Sequence, residues 1–310
     1  MKCRKCGAKA VINMAHHKLA LCKADYLNWL PEQTERTIRK YRMFVRSERI
    51  LAAVSGGKDS LALWDILWRL GYNVDGLYIG LGIDEGSDYS NASQRCAVQF
   101  AEARGLKLII VDVEGEYGAG IPAMSRTTLR GHEKPCAVCG MAKRHLMNRL
   151  AHQGGYAVLA TGHNLDDEAA TLLSNTMNWI PGYLLRQNPV LEADRPGMVR
   201  KVKPLCRFYE REMAAYALLQ GIEYIYDECP FAVGTKSIYY KEILNKMEAD
   251  RPGVKLNFYL SYLMAKENGL FASQADQEAE MLHTCPTCGQ ATTNPGECTF
   301  CRQVRRIRIV

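Results

Sequence analysis

Apolar and amphipathic stretches alternate through the middle of the chain. Short apolar runs predict strands at residues 49–54, 74–81, 107–113, 156–161 and 202–205. Helical periodicity predicts helices between them at residues 61–70, 92–104, 139–152 and 166–179. Because strands joined through helices pair in parallel and are covered on both faces, the pattern predicts a doubly wound α/β sheet. Ligands of such sheets bind at the carboxyl ends of the strands, where the strand order reverses.

The rest of the chain differs from this alternating region and extends it at both ends. Good helix formers follow Pro31, so a connecting helix at residues 32–46 is expected, with the proline tolerated in its first turn. We predict five segments: a zinc-binding head at residues 1–30, a basic linker helix at 31–48, the α/β domain at 49–230, a helical extension at 231–280 and a zinc ribbon with a basic tail at 281–310.

Charge and hydropathy limit the class of protein. The 310 residues carry a formal net charge of +7, and no apolar run reaches the roughly 18 residues of a membrane span. The first residues show no signal-peptide pattern, so a cytoplasmic protein is expected. Basic residues crowd the linker and the tail: Arg36, Arg39, Lys40, Arg42, Arg46 and Arg49, then Arg302, Arg305, Arg306 and Arg308. Such clusters suit a polyphosphate partner, although solvated helix faces have the same composition.

Eight of the twelve cysteines form four Cys-x-x-Cys pairs, which indicates metal or redox chemistry in a reduced compartment. Cys136 and Cys139 lie inside the α/β domain, and the one convincing distant partner is Cys229. Three thiolates suit an iron–sulfur cubane whose fourth iron is open, while a dithiol pair, a persulfide-forming pair or a zinc site completed by Cys206 are alternatives. Cys96, in a predicted helix, is expected to be a small buried apolar residue.

The terminal pairs have the spacing of zinc sites. Cys285, Cys288, Cys298 and Cys301 form two knuckles joined by a short glycine-containing loop, which predicts a tetrahedral four-cysteine ribbon. At the other end Cys3, Cys6 and Cys22 supply three ligands. His16 or His17 could supply the fourth.

Two further segments carry polar chemistry at strand ends. Ser55-Gly56-Gly57-Lys58-Asp59-Ser60 joins a buried strand to a helix, where glycines and free N–H groups can cradle a phosphate. It is not a Walker A loop, because Asp59 follows the lysine, and a chance Gly-Gly turn is the plain alternative. Asp166 and Asp167 follow a second strand and can cap a helix or hold Mg2+. Of the two, we assign Asp166 to the cap.

These segments resemble a known family. The hexapeptide at residues 55–60 resembles the pyrophosphate loop of the PP-loop ATP pyrophosphatases, which have an adenine nucleotide α-hydrolase-like fold and leave an adenylate on their substrate. The phrase GHNLDDEAATLL at residues 162–173 resembles the branch that 2-thiolates tRNA. Together with the cysteine pairs, in this order, they resemble the tRNA 2-thiouridine synthetase TtuA group over nearly the whole chain.

The resemblance implies an activity and a set of site residues. The enzyme would adenylate a tRNA uridine, most closely the T-loop uridine at position 54, and replace the activated oxygen with sulfur. It implies a [4Fe-4S] cluster on Cys136, Cys139 and Cys229 and catalytic support from Asp167 and Mg2+. Asp25 stands where relatives carry a zinc-ligating histidine, and this departure leaves the fourth ligand open between Asp25, which can also ligate zinc, and the two histidines. The implied ATP-binding residues are Ala53, Ser55, Gly56, Gly57, Lys58, Asp59, Ser60, Ile79, Lys143 and Gly162. Lys143 lies one helical turn after Cys139, although an exposed lysine is the usual explanation of such a position.

The resemblance also implies partners, and it leaves alternatives. A ubiquitin-like protein ending in a thiocarboxylate would supply sulfur, and a homodimer is expected. Relatives thiolate the wobble uridine or an anticodon-loop cytidine, and other PP-loop enzymes attach nitrogen groups, for which three interior thiolates would have no use. A non-enzymatic iron–sulfur or zinc protein that binds nucleic acid is an alternative of another class; it would produce no AMP.

Overall fold

A computed structural model describes residues 1–84, 86–193, 195, 197–232, 234–271 and 283–307. The strands within these residues are β1 Ile12–Met14, β2 Leu19–Leu21, β3 Ile50–Val54, β4 Val74–Gly80, β5 Leu108–Asp112, β6 Val158–Thr161, β7 Val190–Leu191, β8 Arg200–Val202, β9 His283–Thr284 and β10 Ala291–Thr292. Two short 3-10 helices span Ala15–His17 and Pro230–Ala232.

The α-helices of the described residues occupy the segments between and after these strands. They are α1 Lys23–Lys40, α2 Lys58–Arg69, α3 Tyr89–Arg104, α4 Val113–Tyr117, α5 Ile121–Arg126, α6 Leu129–Glu133, α7 Pro135–Gln153, α8 Leu165–Met177, α9 Pro181–Arg186, α10 Glu210–Gln220, α11 Lys236–Asp250, α12 Val254–Glu267 and α13 Thr299–Ile307. None of these helices combines the length and apolar character that crossing a membrane would need.

The central sheet has the strand order β5-β4-β3-β6-β8-β7. All neighbours are parallel except β7, which is antiparallel to β8 at the edge. The chain moves outward from β3 to β5 and then crosses to β6 on the other side of β3. The order therefore reverses between β3 and β6, and the predicted doubly wound sheet is confirmed, with its ligand-binding point at the ends of these two strands.

Alternate residues of β3 point to opposite faces of the sheet, and both faces are covered. Ile50 and Ala52 pack in the largest core with Trp64 of α2. Leu51 packs on the other side in a separate core with Leu159. A strand that is buried on both faces has no polar positions, which explains its uniformly apolar sequence.

The helix after the cysteine-bearing head begins earlier than predicted. It starts at Lys23, so Pro31 lies in its interior and not in its first turn. A proline there removes one helical hydrogen bond, but buried residues around it, including Tyr26 and Leu30, hold the helix by packing. The predicted boundary between residues 30 and 31 therefore falls within one continuous helix.

Other boundaries also move. The predicted strand at 202–205 ends at Val202, and the helix predicted from residue 139 begins at Pro135 because proline is well suited to a first turn. Three short helices, α4 to α6, occupy the stretch between β5 and α7, where the sequence pattern predicts a loop. The predicted boundary at 280/281 and Arg308 of the basic tail lie outside the described residues.

Candidate active site

The loop after β3 is shaped to approach an anion closely. Gly56 has a φ of +74°, and a Cβ there would lie 2.1 Å from the Ser93 carbonyl oxygen, so neither the backbone nor the space admits a side chain. Gly57 precedes α2, and no side chain of the described residues caps that helix. The free N–H groups of the first turn and the positive end of the helix dipole therefore face the loop, where a phosphate would bind.

The segment after β6 lies directly against this loop. A Cβ on Gly162 would come within 2.9 Å of the Ser60 backbone nitrogen, so glycine permits the two segments to touch. The Asn164 amide donates a hydrogen bond of 3.0 Å to the Asp59 carboxylate. The two strand ends that flank the reversal point thus form one continuous polar surface, as the doubly wound topology predicts.

The helix cap in this segment differs from the prediction. Asn164 caps α8, and its side chain and that of Asp167 form a reciprocal capping box with distances of 3.1 Å. Asp166 is therefore not the cap. It is buried, where it pairs with Lys255 at 2.6 Å and accepts a hydrogen bond of 2.8 Å from the Glu210 backbone N–H.

Two lysines and three carboxylates continue the polar surface around the loop. Lys58 lies 2.7 Å from Glu210 and 3.2 Å from Asp59. Lys241 of α11 lies 2.6 Å from Asp167 and 3.1 Å from Glu210. Burial lowers the pKa of Lys58, but Asp59 and Glu210 outweigh it and raise the pKa above its usual value. Both lysines are therefore cationic at neutral pH and can neutralise phosphate charge.

A cavity of about 110 Å³ joins the loop to one of the inner cysteines. Its lining contains the predicted ATP-binding residues Ala53, Ser55, Ile79 and Lys143, together with Cys229. The predicted nucleotide cradle and the third inner thiol therefore face the same space. This arrangement is the condition for a base that is activated by ATP to meet sulfur without leaving the protein.

The other two inner cysteines lie on α7 at the edge of this space. Cys136 is exposed in the first turn, where its thiol donates to the Phe231 carbonyl oxygen at 3.0 Å. This contact brings Cys136 to the segment of Cys229, because Phe231 lies two residues after that cysteine. Burial raises the pKa of the Cys139 thiol, and Lys143 one turn later acts in the opposite direction. Burial also raises the pKa of Cys136, and the charges of Cys139 and Cys229 act in the same direction. Thiols in such a group need a cation to become thiolates together.

The spacing of these thiols bears on which metal group fits them. Among the described residues, three sets of His, Cys, Asp or Glu have ligand atoms that all lie within 4.8 Å of one another, and the inner trio is not one of them. Sulfurs bound to one zinc ion at about 2.3 Å would lie about 3.8 Å apart. Cys206 packs fully buried in the main core, with a pKa raised to about 12 by burial. The inner trio is therefore less closely grouped than the two terminal sets, and Cys206 lies in a different core from Cys139 and Cys229. Cys96 is partly buried against the same core as Cys206.

The N-terminal set contains Cys3, Cys6, Cys22 and Asp25 within 4.8 Å. The Asp25 carboxylate accepts from the thiols of Cys3 at 3.0 Å and Cys22 at 3.2 Å. His16 turns away from the cysteines and bonds Glu212 at 3.0 Å, in a separate set with His17. The structure therefore brings the aspartate, and neither histidine, to the three thiols.

The C-terminal set contains Cys285, Cys288, Cys298 and Cys301, all within 4.8 Å. The ribbon packs on α7, the helix that carries Cys136, Cys139 and Lys143. Phe300 stacks on His145 of this helix with ring centroids 4.3 Å apart. The Gln290 side-chain amide donates a hydrogen bond of 3.1 Å to the His145 carbonyl oxygen. The ribbon thus supports the helix behind the inner cysteines.

Glu210, Lys241 and Tyr89 belong to this site but were not predicted from the sequence. Glu210 begins α10, Lys241 lies on α11, and Tyr89 lines the cavity. The pKa of Tyr89 is raised to about 12, first by burial and next by Cys229, which places its ring near that thiol. None of the three stands in a recognisable motif, because distant helices deliver them to the site.

Comparisons with known proteins agree with this architecture. A family model described as "2-thiouridine synthetase TtuA, N-terminal LIM domain" matches residues 2–27, and one described as "PP-loop domain" matches residues 30–231. The tRNA-5-methyluridine(54) 2-sulfurtransferase of Thermus thermophilus is 47% identical over 97% of this chain and 90% of that protein. The protein of the same name from Thermotoga maritima is 40% identical over 99% of this chain and 97% of that protein.

One similar solved structure is the U34-tRNA thiolase NcsA from Methanococcus maripaludis, determined with its [4Fe-4S] cluster. The two structures align with a TM-score of 0.74 and 25% identity, over 86% of this chain and 88% of the other. The shared fold extends beyond the sheet domain alone, because the aligned part is longer than the matched PP-loop segment.

Proposed function

This chain belongs to the PP-loop family and, within it, to the tRNA-5-methyluridine(54) 2-sulfurtransferases, and we propose that it replaces the C2 oxygen of the T-loop uridine of tRNA with sulfur. The reaction consumes ATP and releases AMP and pyrophosphate. The observation that carries the proposal is the shared cavity, in which Ser55, Ile79 and Lys143 face Cys229.

The first half-reaction is adenylation of the base. The uracil C2 oxygen attacks the α-phosphate of ATP, and pyrophosphate leaves. The free N–H groups at the start of α2 bind the phosphates, Lys58 and Lys143 neutralise the charge that develops, and Ile79 contacts the adenine. Asp167, which faces Lys241 beside the loop, would help to hold Mg2+ against the phosphates.

The second half-reaction replaces the activated oxygen. An oxide is a poor leaving group, but after adenylation the oxygen departs as part of AMP when a sulfide attacks C2. Cys136, Cys139 and Cys229 would hold the [4Fe-4S] cluster, which when bound supplies an iron with a free coordination position for sulfur. One cavity would serve both half-reactions, because its lining joins Ser55 and Ile79 to Cys229.

The remaining proposals concern the terminal metal ions, the partners and the location. The two terminal sets would hold one zinc ion each, which keeps the flanking modules folded. A thiocarboxylated ubiquitin-like sulfur carrier, a homodimeric assembly and a cytoplasmic location stay predictions from the sequence resemblance.

An anaerobic assay tests the proposal. The protein is reconstituted with iron and sulfide, given ATP, sulfide and unmodified tRNA, and the thionucleosides are mapped by mass spectrometry. We expect 2-thiolation at position 54 and AMP release that depends on tRNA. Thiolation at the wobble uridine or an anticodon-loop cytidine would show that the target is wrong, and no AMP at all would favour a non-enzymatic binding protein.

Two cysteine variants complete this assay. Cys136→Ala should abolish the product while ATP binding persists, because the thiol lies at the edge of the cavity and not in the loop after β3. Cys96→Ala is the matched control, since Cys96 is a partly buried cysteine of α3 that packs against the core. Full activity of Cys136→Ala would exclude the cluster.

A further inference from the structure

A pair of tyrosines lies between the loop after β3 and the third inner cysteine. Tyr224 and Tyr226 belong to the extended segment that follows α10 and leads to Cys229. Between them, the Ile225 backbone N–H donates a hydrogen bond of 3.0 Å to the Gly56 carbonyl oxygen. The segment is therefore fixed to the phosphate-binding loop at one point and enters the cavity lining three residues after Tyr226.

The two rings differ in how they are held. Their centroids are 4.4 Å apart with an interplanar angle of 37°. Tyr224 is partly buried against the main core, and burial, followed by Tyr226, raises its pKa. The charges of Lys58 and Asp59 also act on Tyr224, which places its ring beside the loop. Tyr224 is thus an anchored ring against which its neighbour rests.

Tyr226 is 76% exposed, so it contributes little to the fold by burial. Fully buried tyrosines elsewhere in the chain, such as Tyr26 and Tyr216, show what a structural role looks like here. An exposed aromatic ring that is supported by a second ring, on a segment bonded to the phosphate-binding loop, has the chemistry that binds an unstacked base.

We propose that Tyr226 stacks on the target uracil after it leaves the stacked tRNA loop, with Tyr224 holding the ring in place. The inference rests on the proposed function, since it names the contact that presents the base to this same cavity. A base in folded RNA must be turned out to reach a cleft, and an aromatic platform compensates for the stacking it loses. Tyr226 directly follows the residue that is bonded to the loop and precedes Cys229 by three positions, so its segment connects the groups of both half-reactions.

A binding cycle with holoenzyme tests this contact. Dissociation constants are measured for wild type and Tyr226→Ala with two tRNA transcripts, one with uridine and one with an abasic residue at position 54. Loss of stacking on one base raises the dissociation constant by about 5- to 150-fold. We therefore expect Tyr226→Ala to weaken binding of the intact transcript by this factor and to leave binding of the abasic transcript unchanged. Any effect of the abasic residue on the RNA itself cancels in the cycle.

Two further variants separate stacking from other roles. Tyr226→Phe keeps the ring and should bind both transcripts like wild type, which a role for the hydroxyl would not allow. Tyr183→Ala removes a tyrosine of α9 that is 60% exposed and should show no coupling to the base.

The outcomes distinguish the inference from the function on which it rests. If wild type thiolates position 54 but Tyr226→Ala weakens both transcripts equally, or neither, the stacking contact is wrong and the function stands. If wild type forms no thionucleoside at position 54, the proposed function fails and the inference fails with it.

Discussion

The inner and terminal Cys-x-x-Cys pairs have the same spacing in sequence but different surroundings. In the C-terminal ribbon Cys285 and Cys288 lie on a tight turn, and Cys298 and Cys301 lie just before and within the first turn of α13. These two pairs face each other, and the Cys298 backbone N–H donates a hydrogen bond of 3.2 Å to the Cys285 sulfur. The inner pair lies on the first two turns of α7, and no second pair of the described residues faces it. The ribbon sulfurs are mostly buried, whereas Cys136 is exposed.

This difference shows that spacing alone does not determine the chemistry of a cysteine pair. Two facing pairs gather four ligands around one point, which gives a closed site where a metal would hold the fold together. The single inner pair presents two thiols to one side and leaves the rest of the coordination sphere to distant residues and to substrate. Closed sites suit structure and open sites suit catalysis, so removal of each kind of ligand should have effects of different size on thiolation.

The largest effect is expected at Cys229, which lines the cavity. Cys229→Ala should lower the thiolation rate by at least about 1,000-fold, because even outer partners of a metal site are worth about 10- to 100-fold. Iron content should fall while zinc content and ATP binding persist. Metal analysis, nucleotide titration and thionucleoside mapping check these three results together. A variant that keeps a tenth of wild-type activity would place Cys229 among the structural cysteines.

Lys143 should have the next largest effect, because it serves the open site and has no counterpart in the terminal modules. Lys143→Ala should lower kcat/KM for ATP by about 100-fold, as expected for a group that neutralises charge in a transition state. Iron content should be unchanged, and Lys143→Arg should recover part of the rate. Lys107→Ala, at the opposite end of the sheet before β5, is the control. Loss of iron in Lys143→Ala would instead make the lysine a support of the cysteines.

A smaller effect is expected when the C-terminal ribbon is opened. Cys298→Ser should reduce bound zinc from two ions to one and lower the melting temperature, because a ribbon without metal loses its folding energy. Thiolation should fall only about 10-fold, since the ribbon acts through its packing on α7 at Phe300 and His145. Thr287→Ala changes an exposed neighbour of Cys288 and should keep both ions. Equal activity losses for Cys298→Ser and Cys229→Ala would erase the distinction between the two kinds of site.

Much of the fold followed from the sequence because the central strand β3 is buried on both faces and therefore apolar throughout. The loop at Ser55 and the four cysteine pairs were also readable, since glycine geometry and metal ligation demand particular residues at fixed spacing. Glu210 and Lys241 were not, because an ion pair between distant helices leaves no local pattern. Asn164 was overlooked as the helix cap since two neighbouring aspartates offered the same chemistry, and only the backbone distinguishes them.

The same limit applied to the fourth ligand of the N-terminal module, which the sequence left open between Asp25 and two histidines. The geometry favours Asp25, and Asp25→Ala should therefore speed the loss of zinc to a chelator by about 10- to 100-fold. Asp25→His should keep the ion, because imidazole is also a good zinc ligand. His17→Ala is the matched control and should retain zinc like wild type. Zinc loss in His17→Ala but not in Asp25→Ala would make a histidine the ligand.

The thiolation rate of Asp25→Ala should change by less than about threefold, the smallest effect of the series. The module is linked to the site through α10. Tyr26 of α1 donates a hydrogen bond of 2.7 Å to the Glu212 carbonyl oxygen. The Glu212 side chain in turn caps α10, the helix that presents Glu210 to Lys58. Packing of α1 persists without zinc, since Tyr26 and Leu30 are fully buried. A rate loss approaching that of Lys143→Ala would contradict this expectation. If the KM for tRNA were raised at unchanged kcat, the closed N-terminal site would take part in binding tRNA.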